Sequence, residues 1–323
     1  MRLHLYKTAP REMIAAANKL PNRRRKAMLV LMLLAALPAF LFLLFVLNGT
    51  LLCDGTTPRG GNVASNMPAG DPDPDKLCVM AFNIAKCFVY QDGITFAERE
   101  TVESSLNMIA RIIRSANPDV VCLAEIVREC GPCDVDQVRF LAQRTGLTNW
   151  AFGECFSFGL PFYRMTSGNA IISRYPLNPV CNLNLAGRKP FYITKNSRRA
   201  LACTVATPGG DLVFWSLHND SFAPSNNLAQ VQQLLEHPLA VNSFMAGDFN
   251  ASPGDPSIVL IRQSGRYSGV FNGPHTIPAI APDRTLDYIL APAAWDVQDH
   301  RVITNTASDH CAVLTVFRRK PGG

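Results

Sequence analysis

No Walker-type phosphate loop and no Gly-x-Gly-x-x-Gly dinucleotide pattern occurs in the chain, which removes the best-marked nucleotide-binding folds. No segment repeats at a fixed period, so solenoids and propellers are excluded. Charged residues are scarce, 17% of 323, while 48% are hydrophobic; a disordered, collagen-like or coiled-coil chain would not read this way. Cysteine is missing from the first 52 residues, although ten follow. Surplus positive charge is missing from the body. Residues 1–26 hold eight Lys/Arg and one acid, +7 against a whole-chain net of +6, so everything else sums to −1. A body so near neutrality lacks the field that drives non-specific binding to a nucleic-acid backbone.

What is present begins with a membrane segment. Residues 27–47 read AMLVLMLLAALPAFLFLLFVL, 21 residues without a charge. At about 1.5 Å per residue they cross a hydrocarbon core of about 30 Å. Pro38 is tolerated in such a helix, with a kink as the ordinary result. A cleaved signal peptide fits less well, because the run is long, a basic tail precedes it and no small-x-small site follows. Leu51-Leu52 before Cys53 is not a lipidation context. Arg23-Arg24-Arg25-Lys26 faces only Arg59 and Lys76 across the span, which predicts a cytoplasmic N-terminus and an exported body. All ten cysteines fall in that exported part, where disulfides are permitted. Cys130-x-x-Cys133 lacks a second ligand pair for zinc, so a disulfide or free thiols are expected there, and Cys122 and Cys311 read as buried thiols.

Four regions are therefore expected: a basic cytoplasmic tail (1–26), a transmembrane helix (27–47), a flexible linker rich in Gly, Pro, Asp and Asn (48–76), and a catalytic domain (77–319). Within the domain, strands are predicted at 77–84, 119–126, 169–175, 200–207, 211–218, 242–249, 286–291 and 311–317. Helical periods run over 96–115, ended by Asn117-Pro118, over 134–146 and over 224–237. The fold class is α/β, mixed sheets with flanking helices.

Polar residues stand at the ends of these apolar strands: Asn83, Glu125, His218, Asp248 with Asn250, Asp287, and Asp309-His310. Each has a bland reading. Asn83 alone is equally a turn residue, Asp248-x-Asn250 an Asx-turn, and a lone His218 or His310 a satisfied core histidine. Glu125, inside Leu-Ala-Glu-Ile, is costly to bury without a cation or partner. Together two histidines, several acids and two asparagines at strand ends suit a hard metal and phosphate transfer.

The blocks AFNI, CLAEI, SGNAIISRYPL, SLHND, AGDFNASP, TLDYIL and SDHCAV follow in that order over residues 77–318, and the set resembles the endonuclease/exonuclease/phosphatase superfamily, the DNase I-like metal-dependent phosphoesterases. The resemblance implies a four-layer sandwich, two packed mixed β-sheets flanked by helices, with the site at one rim. It implies Mg²⁺, with Mn²⁺ or Ca²⁺ as substitutes, held by Glu125, Asp309 and Asn83. On the family pattern Asp248 orients or deprotonates the attacking water and Asn250 donates to phosphate. His310, held by Asp287, contacts the phosphate, and His218 protonates the leaving group or binds a phosphate oxygen. Arg199 resembles a phosphate-contacting arginine, and the neighbouring Arg198 is an equally good local candidate. The sequons at Asn219 and Asn250 read as chance matches.

The expected function is a metal-dependent phosphoesterase acting outside the cytoplasm on a phospholipid, lipid-linked phosphate or phosphorylated metabolite. The alternatives are an exported membrane-anchored nuclease and a catalytically inactive tethered binding module. Residues 77–323 carry 21 Lys/Arg against 20 Asp/Glu, so nucleic acid is a partner that charge does not favour, despite a local basic group at Arg188, Lys189, Lys195, Arg198 and Arg199. No protein partner is predicted.

Overall fold

The computed structural model describes residues 22–52, 55–65, 73–91, 95–187 and 198–322. The strands are β1 (Arg59–Asn62), β2 (Lys76–Asn83), β3 (Tyr90–Gln91), β4 (Thr95–Phe96), β5 (Val120–Cys130), β6 (Asn149–Leu160), β7 (Tyr163–Ser173), β8 (Leu177–Asn184), β9 (Arg199–Thr207), β10 (Gly210–His218), β11 (Ser243–Asp248), β12 (Tyr267–Gly269), β13 (Asp287–Pro292), β14 (Trp295–Ile303) and β15 (Ala312–Arg319). The helices are α1 (Asn22–Thr50), α2 (Arg99–Ala116), α3 (Gln137–Thr145), α4 (Pro224–Glu236) and α5 (Pro256–Gln263).

Two mixed sheets form the frame. One has seven strands in the order β1-β6-β7-β5-β2-β15-β14; the other has six, β12-β13-β11-β10-β9-β8. Side chains alternate across a strand, so a strand covered on both faces must be apolar at every position. On β2, Val79 and Ala81 enter the core between the sheets while Met80 and Phe82 enter the layer beneath α2 and α3. The inter-sheet core is built around stacked Phe214 and Phe244, 4.7 Å apart, with Phe317 edge-on to Phe244 at 5.7 Å. A third apolar cluster, around Trp215 and Met245, lies under α4 and α5. The architecture is the expected four-layer sandwich.

Local chemistry sets the element ends. Asn117 in the left-handed conformation stops α2. The second helical period starts later than expected: Asp136, whose carboxylate accepts from the Arg139 amide at 3.0 Å, caps α3, while Asp134 stays outside it. Seven strands, the short β1, β3, β4 and β12 and the longer β6, β8 and β14, escape the sequence patterns, as does one helix. β6 is interrupted by Gly153 and Gly159, β8 is a polar edge strand carrying Pro179 beside a bulge, β14 is an exposed edge rich in charge, and α5 is only eight residues long.

The segment 48–76 differs most from expectation. Arg59–Asn62 pairs antiparallel with Asn149–Phe152 and extends the seven-stranded sheet. An edge strand is held by backbone groups, so no apolar period announces it. A Cβ on Gly61 would meet the Trp150 ring at 3.0 Å, so glycine there permits the approach. α1 runs unbroken through Pro38 and is long and apolar enough to cross a membrane. All nine described cysteines carry free thiols; Cys53 lies outside the described residues.

Candidate active site

Strand register gathers the polar residues. His218 at the end of β10 lies beside Asp248 at the end of β11, and Asp248 lies opposite Asp287 at the start of β13. Three functional side chains thus stand abreast on adjacent strands, about 5 Å apart. The parallel pairing of β10 and β11 requires the crossover through α4, which supplies the turn after His218. From the other sheet, Asn83 pairs with Ala124 at the end of the parallel β2–β5 ladder, one residue before Glu125. The β5–β7 register skips between Leu123 and Ile126, and Glu125 has φ of 52°; this irregularity re-aims its carboxylate out of the sheet. The loop before β15 brings Asp309 and His310, anchored by Ser308 Oγ donating to the Asn83 carbonyl at 2.7 Å.

Asp248 is the hub. Its Oδ2 accepts from Asn83 Nδ2 at 3.0 Å and faces His218 Nε2 at 3.5 Å and His310 Nε2 at 3.7 Å, while Oδ1 accepts from the Asn250 amide at 2.8 Å. Burial, then the neighbouring Asp287 charge, raises its carboxyl to about 6. Asp287 Oδ2 accepts from Thr276 Oγ1 at 2.7 Å and bonds His310 Nδ1 at 2.9 Å. Burial opposes charge on His310, but the charge and hydrogen bond of Asp287, helped by Asp248 and Asp309, outweigh it and raise the ring to about 9. His218 behaves oppositely. Glu125 Oε1 and Asp248 lie near its Nε2, at 3.7 and 3.5 Å, yet burial together with Arg198, Lys86 and His310 holds it well below the usual imidazole range. The two imidazoles are thus set apart: one charged, one neutral.

Not every predicted residue faces this hub. Arg199 is buried, its Nη1 donating to the Asn182 carbonyl at 3.0 Å and its side chain packed against Gly55. Neighbours along a strand point to opposite sides, and it is Arg198 whose charge reaches His218 and Lys86. Of the two arginines left open as phosphate contacts, Arg199 is thus committed to the protein interior. Arg188, Lys189 and Lys195 lie outside the described residues. Asn250 Nδ2 donates to the Asn219 carbonyl at 3.0 Å, so its amide is committed to the loop. Asp309 is exposed and accepts from Ser308 Oγ at 3.3 Å.

Two kinds of residue were missed. Lys86 forms an ion pair with Glu125, on a turn where residues 85–88 all have positive φ and Gln137 Nε2 donates to the Lys86 carbonyl at 2.8 Å. Burial and then Arg198 lower its amine to about 8. Nothing in Asn-Ile-Ala-Lys-Cys-Phe announces four left-handed residues. Asn169 and Asn219 are buried with amide atoms lacking a partner, Oδ1 in the first and both atoms in the second. Their blocks, SGNAIISRYPL and SLHND, stand out in the sequence, but neither asparagine could be given a role there.

Asp248, Asp287 and His310 offer ligand atoms all within 4.8 Å of one another, a set that could take a metal ion. The expected set of Glu125, Asp309 and Asn83 shares no residue with this cluster. Asn83 commits its amide to Asp248 and its Oδ1 to the Ala85 amide at 3.0 Å. The chemistry of the two sets differs. A proton on His310 offsets one of the two charges of the Asp248–Asp287 pair, and Glu125 is paired with Lys86, a lysine that a divalent cation can displace. Both sets offer carboxylate oxygens of the kind a hard divalent ion takes.

The profile of the endonuclease/exonuclease/phosphatase family matches residues 80–310, spanning every side chain of this cluster. The chain belongs to that family. Among curated proteins no significant match is found. Among solved structures, the family member is similar to an endonuclease/exonuclease/phosphatase from Beutenbergia cavernae, 25% identical, covering 76% of this chain and 72% of that one, with a TM-score of 0.61. The human Nocturnin catalytic domain with bound sulfate superposes with a TM-score of 0.54 at 17% identity, covering 82% and 97%. A Bacteroides thetaiotaomicron mannosyl-6-phosphatase does so with a TM-score of 0.54 at 13% identity, covering 75% and 99%. The family's members are hydrolases of phosphoester bonds and generally use a divalent metal.

Proposed function

We propose that this chain is a metal-dependent phosphoesterase, anchored by α1 and acting outside the cytoplasm on a phospholipid, lipid-linked phosphate or phosphorylated metabolite. The observation carrying this reading is the convergence of Asp248 with His218, His310 and Asn83, at 3.0 to 3.7 Å, beside Glu125. Glu125 and Asp309 would hold a hard ion such as Mg²⁺ at the rim. When bound, that ion supplies Lewis-acid polarisation of a phosphoryl oxygen. The remaining chemistry falls to the chain's own groups.

Asp248, with a carboxyl near 6, is ionised at neutral pH yet basic enough to take the proton of an attacking water. Asn83 and the Asn250 amide hold that carboxylate in one orientation. His310 presents a charged Nε2–H to a phosphoryl oxygen, because Asp287 fixes Nδ1 and favours the imidazolium. His218 is neutral before substrate arrives, which favours its role as a ligand to a phosphoryl oxygen over that of a resident acid. Arg198 is the cation best placed to receive the phosphate's remaining charge.

That a mannosyl-6-phosphatase and the Nocturnin catalytic domain share this fold agrees with phosphoester chemistry without choosing the substrate. The test is hydrolysis by the full chain in detergent, with Mg²⁺, of a chromogenic bis-phosphoester, polyprenyl phosphate, sphingomyelin, inositol phosphates and duplex DNA at fixed salt. Asp248→Ala should lower kcat by about 10³ or more, in line with loss of a general base and its oriented water. Preference for duplex DNA would make the chain the nuclease alternative. Identical background from wild type and variant would make it a binding module.

A further inference from the structure

The last two turns of α1 are not free of the domain. Asn48, at the end of the apolar run, is fully buried: its Nδ2 donates to Ser157 Oγ and to the Gly159 carbonyl, both at 3.1 Å, and Arg164 Nη1 donates to its Oδ1 at 3.4 Å. Phe45, still inside the apolar run, meets Phe158 edge-on at 5.2 Å. Both contacts are with the β6–β7 hairpin. Its tip carries Phe158, Phe162 and Tyr163, which are 42%, 74% and 52% exposed. Three large aromatic side chains at one turn, left in water, form an apolar patch without a purpose in folding.

Helix geometry says where that patch lies. Phe45 is three residues before Asn48, so it sits roughly 4.5 Å deeper along the helix axis. A residue packed on Phe45 shares its depth. If Leu47 marks the edge of the hydrocarbon, Phe158 lies within it or at its boundary, and Phe162 and Tyr163 lie beside it. Aromatic side chains concentrate in this zone, where their rings are buried and polar edges remain wet. Behind the tip, Arg164 Nη2 bonds Glu129 Oε2 at 2.9 Å, so its charge is not carried into the lipid unpaired.

We propose that the β6–β7 hairpin tip is a bilayer-docking element, seated in the boundary between headgroups and acyl chains of the membrane that α1 crosses. The inference rests on α1 spanning a membrane and deepens the proposed function. Gly168 pairs with both Glu154 on β6 and Ile126 beside Glu125 on β5, which sets the level of the site along the hairpin. Phe158 is four residues beyond Glu154, about 13 Å by strand rise, on the side to which β5 continues past Glu125. The docked tip therefore turns the Glu125 rim toward the lipid surface. The substrates it selects carry their phosphate at that surface.

The test uses the full chain in vesicles of phosphatidylcholine and phosphatidylglycerol, with and without brominated acyl chains. Three tryptophan variants are compared with wild type: Phe162→Trp at the tip, Phe42→Trp within the apolar run, and Val241→Trp at an exposed position on the pole opposite the site. Brominated lipid should cut the added emission at 162 about twofold, approaching the loss at 42, and leave 241 unchanged; an interfacial ring buried about 5–10 Å is within quenching reach. Quenching at 42 without quenching at 162 overturns the docking while leaving the span intact. Absence of quenching at 42 overturns the span and the docking together. A second readout addresses orientation. Phe162→Asp with Tyr163→Asp should slow hydrolysis of a vesicle-borne phosphoester about tenfold, from lost apolar burial, and spare a soluble chromogenic ester. Equal rates on both substrates would refute the claim that the rim faces the membrane.

Discussion

Replacing Asp287 by Asn keeps the size of the side chain and its contact with Thr276 Oγ1 but removes the charge beside His310 Nδ1. The consequence can be worked from the site. His310 stands at about 9 against the ordinary 6.5, and burial alone would push it below 6.5. The rise from 6.5 to about 9 corresponds to roughly 3 kcal/mol favouring the imidazolium, to which Asp248 and Asp309 also contribute. At pH 7 the wild-type ring is charged by about 100 to 1, whereas without Asp287 the ratio falls toward about 1 to 3 or less. The sign for stability follows. The folded value lies above the unfolded one, so the stabilisation is fully present below about pH 6.5 and is lost as pH rises through about 9. Asp287→Asn should abolish that dependence over pH 6.5–9. The assay is an NMR titration of the imidazole nitrogens in micelles, with EDTA present so that no metal titrates with the ring. A wild-type His310 that titrates at or below 6.5 would refute the electrostatic account of the pair. So would persistence of a His310 titration near 9 in the Asp287→Asn variant.

Lys86→Met leaves Glu125 without its resident cation, and divalent-ion affinity, read by calorimetry, should tighten about tenfold; unchanged affinity would show that the lysine does not compete for the Glu125 seat. The basic run at 23–26 predicts that protease added to intact spheroplasts digests the body, and protection of the body would reverse the orientation.

How much of this was legible in the chain depends on whether an element announces itself through periodicity. The central strands did, because burial on both faces leaves near-continuous apolar runs such as Val120–Leu123, with a polar residue conspicuous at the end. The edges did not. β1 is Arg-Gly-Gly-Asn and pairs through its backbone, and β8 carries Pro179 together with Asn178, Asn182 and Asn184. Among the site residues, Asn83, Glu125, His218, Asp248, Asp287 and His310 were readable as polar breaks in apolar strands. Lys86 was not, since its place depends on a left-handed turn held by Gln137 from α3. Arg198 and Arg199 could not be ranked until the strand's facing was known.

By itself, then, the order of residues determined the family, the apolar span and the identity of most polar groups at the rim, because side-chain type and local spacing are properties of the chain alone. Tertiary structure decided what those groups are to one another. Strand register sets His218, Asp248 and Asp287 abreast, burial and neighbouring charge leave one histidine protonated and the other neutral, and the packing of α1 on β6 carries an aromatic hairpin to the depth of Phe45. Distances between residues far apart in the chain, and the dielectric around them, exist only once the two sheets have closed on each other.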